Sequence, residues 1–151
     1  MVEAIREGDI PGVQLRCRQL LALPAGEAWR WLVQPERLAR WLGDRAEVVP
    51  GSGGSLRLSG QDEAGAELEE RGRTLEISPP LRWVLAFERL DAGWMAATRL
   101  TFEVTALSPG CELSVLQQGF HHLPLSLCMS AWEAYRRRWR EALARLAEAA
   151  G

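Results

Sequence analysis

The apolar positions of the chain change their spacing as it runs, and those changes divide it into elements. From Val13 they alternate. Val13, Leu15, Cys17, Gln19, Leu21 and Leu23 fall on one side and Gln14, Arg16 and Arg18 on the other, the two-residue repeat of a half-buried strand. Pro24 then stands where a first helical turn tolerates it, and Glu27 lies where a carboxylate favours the helix dipole, so a short helix is predicted to about Val33. Gln34-Pro35-Glu36 restarts a second helix on the same logic, predicted to run through Leu38 and Trp41 and to stop at Gly43. After Gly43 come strands separated by Gly, Pro and Asp, predicted over 45–49, 55–59, 66–77, 81–90, 97–107 and 111–118. Last, Leu125, Cys128, Met129, Trp132, Tyr135, Arg136, Trp139, Leu143 and Leu146 recur at three- and four-residue steps within 124–150. This is one long helix with a broad face to bury.

The order strand, two short helices, six strands, long helix is one α+β unit. Consecutive strands with short turns pair antiparallel, and the long helix is the only segment able to cover the sheet. Leu81, Trp83, Leu85 and Phe87 share one face, as do Thr98, Leu100, Phe102 and Val104, and then Leu113, Val115 and Gln117; this is the inner face. The strand at 66–77 is ambiguous, because Leu75 and Ile77 have the parity of Arg71 and Arg73, and Gly72 is a candidate bulge. Residues 1–12 lack apolar periodicity and end in Pro11-Gly12. They read as a flexible lead-in to a single domain at 13–151, and removing residues 1–10 is expected to leave the fold intact.

Composition narrows the function classes. The net charge is −2 and the pI about 5.8, all 18 basic residues are Arg, and no basic tract extends beyond Arg136–Arg138, which excludes nucleic acid as the main partner. Three cysteines without close pairing indicate neither a disulfide framework nor a metal site. The first twelve residues have no signal-peptide core and no spanning segment, so membrane insertion is not expected and a cytoplasmic location is.

The chemistry-bearing motifs are sparse. His121-His122 are adjacent and so diverge, and no metal or other cofactor is expected. Gly51-Ser52-Gly53-Gly54 lacks the Lys-Ser/Thr of a phosphate loop and leads into a strand, which makes it a hairpin turn. Glu67, Glu69 and Glu70 next to Arg71 and Arg73 read as a solvated, charge-balanced strand face. No nucleophile and base stand at a recognisable spacing, so no catalytic residue is assigned. Trp29 and Trp31 diverge on their helix, so one of them is expected at a cavity mouth or in solvent. The Trp94-Met95 tip is expected to fold back as a lid or to contact a second subunit.

Four stretches carry a resemblance to a known family: Trp29-x-x-Leu32-x-x-Pro35-Glu36-x-Leu38-x-x-Trp41; Pro50-Gly51 followed by Gly53-Gly54; Gly72-Arg73-Thr74-Leu75-Glu76-Ile77-Ser78-Pro79-Pro80-Leu81; and Trp139-x-x-x-Leu143-x-x-Leu146. Together they resemble the START-like (SRPBCC) superfamily and, within it, bacterial homologues of the C-terminal domain of the heat-shock-protein-90 ATPase activator. The resemblance implies a helix-grip fold, a curved seven-stranded antiparallel sheet wrapped around the long C-terminal helix with two short helices after the first strand. It also implies a cavity between sheet and helix. It does not imply one reaction, since the superfamily holds ligand binders as well as polyketide cyclases.

The first functional reading is therefore a protein that binds a small apolar or aromatic ligand, without an assigned enzyme activity. Trp83, Phe87, Phe102, Trp132 and Trp139 are expected to line its cavity, and Gln117, Tyr135 and Arg136 to orient the ligand. Arg136, the one charge on the apolar stripe, is either an inward anchor for an anionic ligand group or packs its stem and reaches solvent. The alternatives are a cyclase- or dehydratase-like enzyme and a protein-interaction module with a vestigial cavity. A cavity of roughly 300 Å³ or more favours the ligand readings. A homodimer is expected through the Trp94-Met95 turn or an exposed sheet edge.

Overall fold

The computed structural model describes residues 8–62 and 64–150. Strand β1 (Gln14–Leu21) is followed by helices α1 (Ala25–Val33) and α2 (Pro35–Leu38). Then come β2 (Arg45–Val49), β3 (Ser55–Gln61), β4 (Glu67–Ser78), β5 (Arg82–Arg89), β6 (Thr98–Ala106) and β7 (Cys111–Gln118). One 3₁₀ turn, Phe120–His122, leads into α3 (Leu125–Ala150). The seven strands form one wholly antiparallel sheet in the order β1-β7-β6-β5-β4-β3-β2. β1 and β2 are its two edges, and the α1–α2 segment carries the chain from one to the other. This is the helix-grip architecture that the order of elements implies.

The inner face follows the two-residue repeat where that repeat is unbroken. Trp83, Leu85 and Phe87 of β5, Leu100, Phe102 and Val104 of β6, and Leu113, Val115 and Gln117 of β7 are all buried. Leu81 lies outside β5 and is half exposed. In β4 the repeat holds for Leu68, Glu70, Gly72 and Thr74, all inward, and then breaks: Thr74 pairs with Leu85 and Glu76 with Val84, leaving Leu75 as the extra residue. The bulge is thus at Leu75, not at Gly72, and it turns Ile77 inward opposite Trp83. Gly72 has another reason to be glycine. A Cβ there would stand 2.8 Å from Leu85 Cδ2.

On α3 the stripe from Trp132 to Leu146 covers this face, with Trp132, Trp139, Leu143 and Leu146 buried, each stabilising by roughly 1.5–3 kcal/mol. The first turns depart from expectation. Leu125 is 94% exposed and Met129 45%, and this end of α3 meets the chain ahead of β1. Cys128 Sγ donates to the Gly12 carbonyl oxygen at 3.1 Å, and Met129 lies against Gly12.

The predicted lead-in divides. Its first seven residues lie outside the described residues, whereas residues 8–12 are held. Asp9 Oδ1 accepts from the Arg16 amide at 3.0 Å, which occupies a donor on the free edge of β1, and Asp9 Oδ2 lies 3.1 Å from Arg136 Nε. Gln14 Nε2 donates to the Gly8 carbonyl oxygen at 2.9 Å.

The wedge also differs in detail from its sequence reading. α2 ends at Leu38 and continues as looser turns to Leu42. Trp29 and Trp31 are both buried. Trp31 is roofed by the guanidinium of Arg40, 4.9 Å from its ring centre, and by that of Arg37 at 5.5 Å. Trp41 Nε1 closes the wedge by donating to the Trp31 carbonyl oxygen at 3.0 Å.

Candidate functional site

Seven of the eight residues expected to line a ligand cavity are packed into the core. Trp139 Nε1 donates to Gln117 Oε1 at 2.8 Å, Gln117 Nε2 donates to Thr98 Oγ1 at 3.0 Å, and Thr98 Oγ1 donates to the Phe87 carbonyl oxygen at 2.8 Å. Both ends of the buried Gln117 amide are therefore engaged. Phe102 stands edge-on to Trp139, with ring centres 5.8 Å apart, and Trp83 packs on Phe102 while donating from Nε1 to Thr74 Oγ1 at 2.9 Å. Phe87 stands edge-on to Tyr135. Trp132 Nε1 donates to the Gln14 carbonyl oxygen at 2.7 Å, and the Arg136 guanidinium lies over its ring at 5.1 Å. Arg136 does point inward, but the carboxylate that answers it is Asp9, and the two side chains are 8% and 1% exposed.

Space opens instead at the other end of the groove between sheet and helix. A cavity of about 660 Å³ lies between the turn after α2, the β3–β4 hairpin and the middle of α3. Trp41, Leu68, Ala134 and Tyr135 supply its apolar wall, Arg40, Arg89, Arg138 and Arg145 its cations, and Asp44, Asp62 and Glu141 its carboxylates. Tyr135 is the one sequence-derived site residue that reaches it. Gly43, at φ +82°, makes the turn that forms one side, and a Cβ there would lie 3.2 Å from the Ser59 carbonyl oxygen.

Behind this wall is a polar cluster that the sequence reading missed. Glu70 is fully buried. Tyr135 Oη donates to Glu70 Oε2 at 2.5 Å, and Arg138 Nη1 donates to the same oxygen. Glu70 Oε1 and Arg138 Nη2 are also buried, and neither hydrogen-bonds to any protein group. Burial, and then the charge of Glu70, push the Tyr135 phenol well above its ordinary pKa, so Tyr135 is neutral at physiological pH. Burial alone would lower the Arg138 pKa, but the Glu70 carboxylate and then Tyr135 together outweigh it and raise the value, keeping the guanidinium charged. The signal for Glu70 was its parity: it alternates with Leu68, whereas Glu69 and Arg71 face outward, paired with Arg57 and Glu88. For Arg138 the signal was its place one turn after Tyr135 on the flank of the apolar stripe.

The other cations of the wall have different partners. Arg89 holds both oxygens of Asp91, at 2.9 and 3.1 Å, and reaches Asp62 at 3.3 Å. Its hydrogen bond lowers the Asp91 pKa, and the Asp91 carboxylate raises that of Arg89. Asp62 is held low first by the Ala66 amide. Arg145 donates from Nε and Nη2 to the Trp41 carbonyl oxygen, at 3.3 and 3.2 Å. Trp94 folds back beside the cluster, its ring centre 5.5 Å from that of Tyr135, and leaves Met95 86% exposed.

The family model described as Activator of Hsp90 ATPase homolog 1-like protein matches residues 22–151. The chain belongs to that family. Among solved structures it is similar to protein CV1439 from Chromobacterium violaceum, at 26% identity and a TM-score of 0.74 over 91% of this chain and 96% of that one. It is also similar in fold to the Aha1 dimer of Colwellia psychrerythraea, at 13% identity and a TM-score of 0.69 over 91% and 96% of the two chains. DynU16, described as a protein of the dynemicin biosynthetic locus, aligns at 19% identity and a TM-score of 0.72 over 89% of this chain and 46% of its own. None of the curated proteins matches the chain significantly. The likeness to these structures is one of fold. Among the described residues no helix is long and apolar enough to cross a membrane.

Proposed function

We propose that this protein binds a small molecule in the cleft between the turn after α2, the β3–β4 hairpin and α3. The observation that carries the reading is a cavity of about 660 Å³ walled by Trp41, Leu68 and Tyr135 and backed by the buried Glu70–Tyr135–Arg138 cluster. Its volume lies in the range of small-molecule sites, and the polar groups that converge on it are able to fix a ligand's orientation. The ligand body is apolar or aromatic, a reading supported by the Trp41, Leu68 and Tyr135 surfaces. Of the residues first expected to touch it, Tyr135 does so, and the packed tryptophans and Gln117 hold the helix at the distance that leaves the cleft open. Free thiols at Cys111 and Cys128 suit a cytoplasmic location.

Ala134 lies on the cleft side of α3 and is exposed, so Ala134→Trp fills the space without entering the core. Protein purified from its source and sprayed under native conditions is expected to retain a small molecule, and the variant to lose it while its thermal midpoint hardly changes. A variant that keeps the ligand would place the site elsewhere.

A second reading, a cyclase- or dehydratase-like enzyme, is favoured by the phenol of Tyr135 and the guanidinium of Arg138 standing together on one wall, a pair able to polarise a carbonyl. Recovery of the bound molecule unchanged after prolonged incubation would exclude it. As for assembly, a homodimer is proposed through the tip that carries Met95. Met95 is exposed, and Gly93 of the same tip approaches Leu127 in the first turn of α3. One fold neighbour is itself described as a dimer. Sedimentation of wild type and Met95→Glu tests this, the variant being expected to shift toward monomer.

A further inference from the structure

We infer that the ligand of the cleft presents to the Tyr135–Arg138 wall a neutral group that both donates and accepts a hydrogen bond: an alcohol, a phenol or a primary amide. The inference rests on the small-molecule reading above and specifies its polar end. Two buried atoms motivate it. Glu70 Oε1 is an acceptor and Arg138 Nη2 a donor, and neither is bonded to any protein group, while their neighbours Glu70 Oε2 and Arg138 Nη1 are bonded to each other. A buried polar atom without a partner is costly, and the cost is relieved by a ligand atom of the opposite kind.

Charge decides among the groups that would fit. A carboxylate or phosphate has acceptors for Arg138 Nη2 but no proton for Glu70 Oε1, and it would bring a second negative charge beside a fully buried carboxylate. An ammonium has donors for Glu70 Oε1 but no acceptor for Arg138 Nη2, so whatever it gains from Asp44, Asp62 and Glu141 elsewhere on the lining it leaves the second atom unanswered and sets a cation beside the Arg138 guanidinium. A hydroxyl or a carboxamide answers both atoms and adds no charge. Glu70 itself has no exposed surface, and Tyr135 and Arg138 stand directly before it. The group therefore enters between these two side chains, at the inner end of the cleft where Leu68, two residues earlier on β4, also forms the wall.

Three probes with one aromatic body separate the possibilities: naphthol, naphthamide and naphthoate, substituted at the same ring position and titrated calorimetrically into the full chain at neutral pH. Naphthol and naphthamide are expected to bind at least about tenfold more tightly than naphthoate, the scale of one hydrogen bond to a charged partner. Ala134→Trp is expected to abolish binding of all three. Glu70→Gln is expected to narrow the gap by strengthening naphthoate, which a merely structural role for Glu70 would not do. Naphthoate binding as tightly as naphthol to the wild type overturns the inference and leaves the small-molecule reading standing; this arm needs no variant to fold. Binding of no probe by the wild type overturns that reading together with it. A preference that persists in Ala134→Trp places the probes outside the cleft and also overturns the inference.

Discussion

The two ends of the groove between sheet and α3 both bury polar side chains, and they differ in whether those side chains are satisfied. At the closed end Gln117 takes one hydrogen bond and gives one, and the chain from Trp139 through Gln117 and Thr98 ends on a backbone carbonyl oxygen. At the open end the Glu70 carboxylate receives both of its bonds on one oxygen, and an acceptor and a donor remain unbonded to protein. The first arrangement fixes the core in one packing. The second stores unmet hydrogen-bonding capacity next to empty space, which is what a binding site requires and a core avoids. Arg136 belongs with the closed end. Its guanidinium meets the Asp9 carboxylate, so it helps to anchor the chain ahead of β1.

The largest effect is expected from breaking the open-end cluster on one side only. Glu70→Leu leaves Arg138 buried opposite no carboxylate, and unfolding in urea should show a loss of about 3–5 kcal/mol. Adding Arg138→Leu should recover most of it, because an apolar pair of similar volume serves the core as well as a buried ion pair. A double variant no more stable than Glu70→Leu would mean that the two residues do not act as a pair.

Next in size is the latch at the closed end. Asp9→Asn removes the Asp9 charge from beside Arg136 and weakens the bond to the Arg16 amide, but the short segment ahead of β1 can lift and let water reach the guanidinium. The expected loss is therefore smaller, about 2–3 kcal/mol. Truncation through Asp9 should cost as much. A truncated chain with an unchanged thermal midpoint would show that the segment adds nothing to the fold, as its lack of apolar periodicity had suggested.

Within the closed end, Gln117→Leu should cost roughly 1–3 kcal/mol by leaving the Trp139 indole N–H unpaired. It should leave probe binding in the cleft unchanged, which separates the two ends functionally. A changed affinity would join them into one site.

What could be read from the sequence follows the same division. The inner faces of β5, β6 and β7 were legible because their period of two runs without interruption, and the α3 stripe was legible from Trp132 onward. β4 was not, since one extra residue at Leu75 shifts parity and no residue type announces a bulge there. Glu70 was hidden by its neighbours: three glutamates within four positions look like a solvent face, and only alternation with Leu68 says otherwise. One of Trp29 and Trp31 was expected at a mouth or in solvent because the two diverge, but both are buried, and Arg37 and Arg40 of the following turns close over Trp31. The partner of Arg136 lies near the opposite end of the chain, where local pattern carries no information.

The smallest effect expected is alkaline, and it isolates the open end. Tyr135 is the only tyrosine, and with no lysine in the chain few other groups titrate above neutrality. Burial and the Glu70 charge hold its native pKa well above the ordinary value of 10.0, against the opposing pull of Arg138 and Arg89. The unfolded chain therefore releases this proton first as the pH rises, and the native state is disfavoured in proportion. The contribution is complete below about pH 10 and is lost above it, at no more than about 1.4 kcal/mol per pH unit for one proton. Burial also raises the Cys111 thiol, whose ordinary value is 9.0, so part of any alkaline loss belongs to it. Subtracting the stability curve of Tyr135→Phe from that of the wild type removes this part, because both chains keep Cys111. The phenylalanine variant should lose about 1 kcal/mol at neutral pH by removing one hydrogen bond, and it should then decline less steeply above pH 10. Near-ultraviolet absorbance offers an independent reading, since tyrosinate should form in the wild type only as the protein unfolds. A tyrosine that ionises near pH 10 in the folded protein would mean that Tyr135 is neither buried nor held by Glu70, and the distinction between the two ends would fail at its central residue.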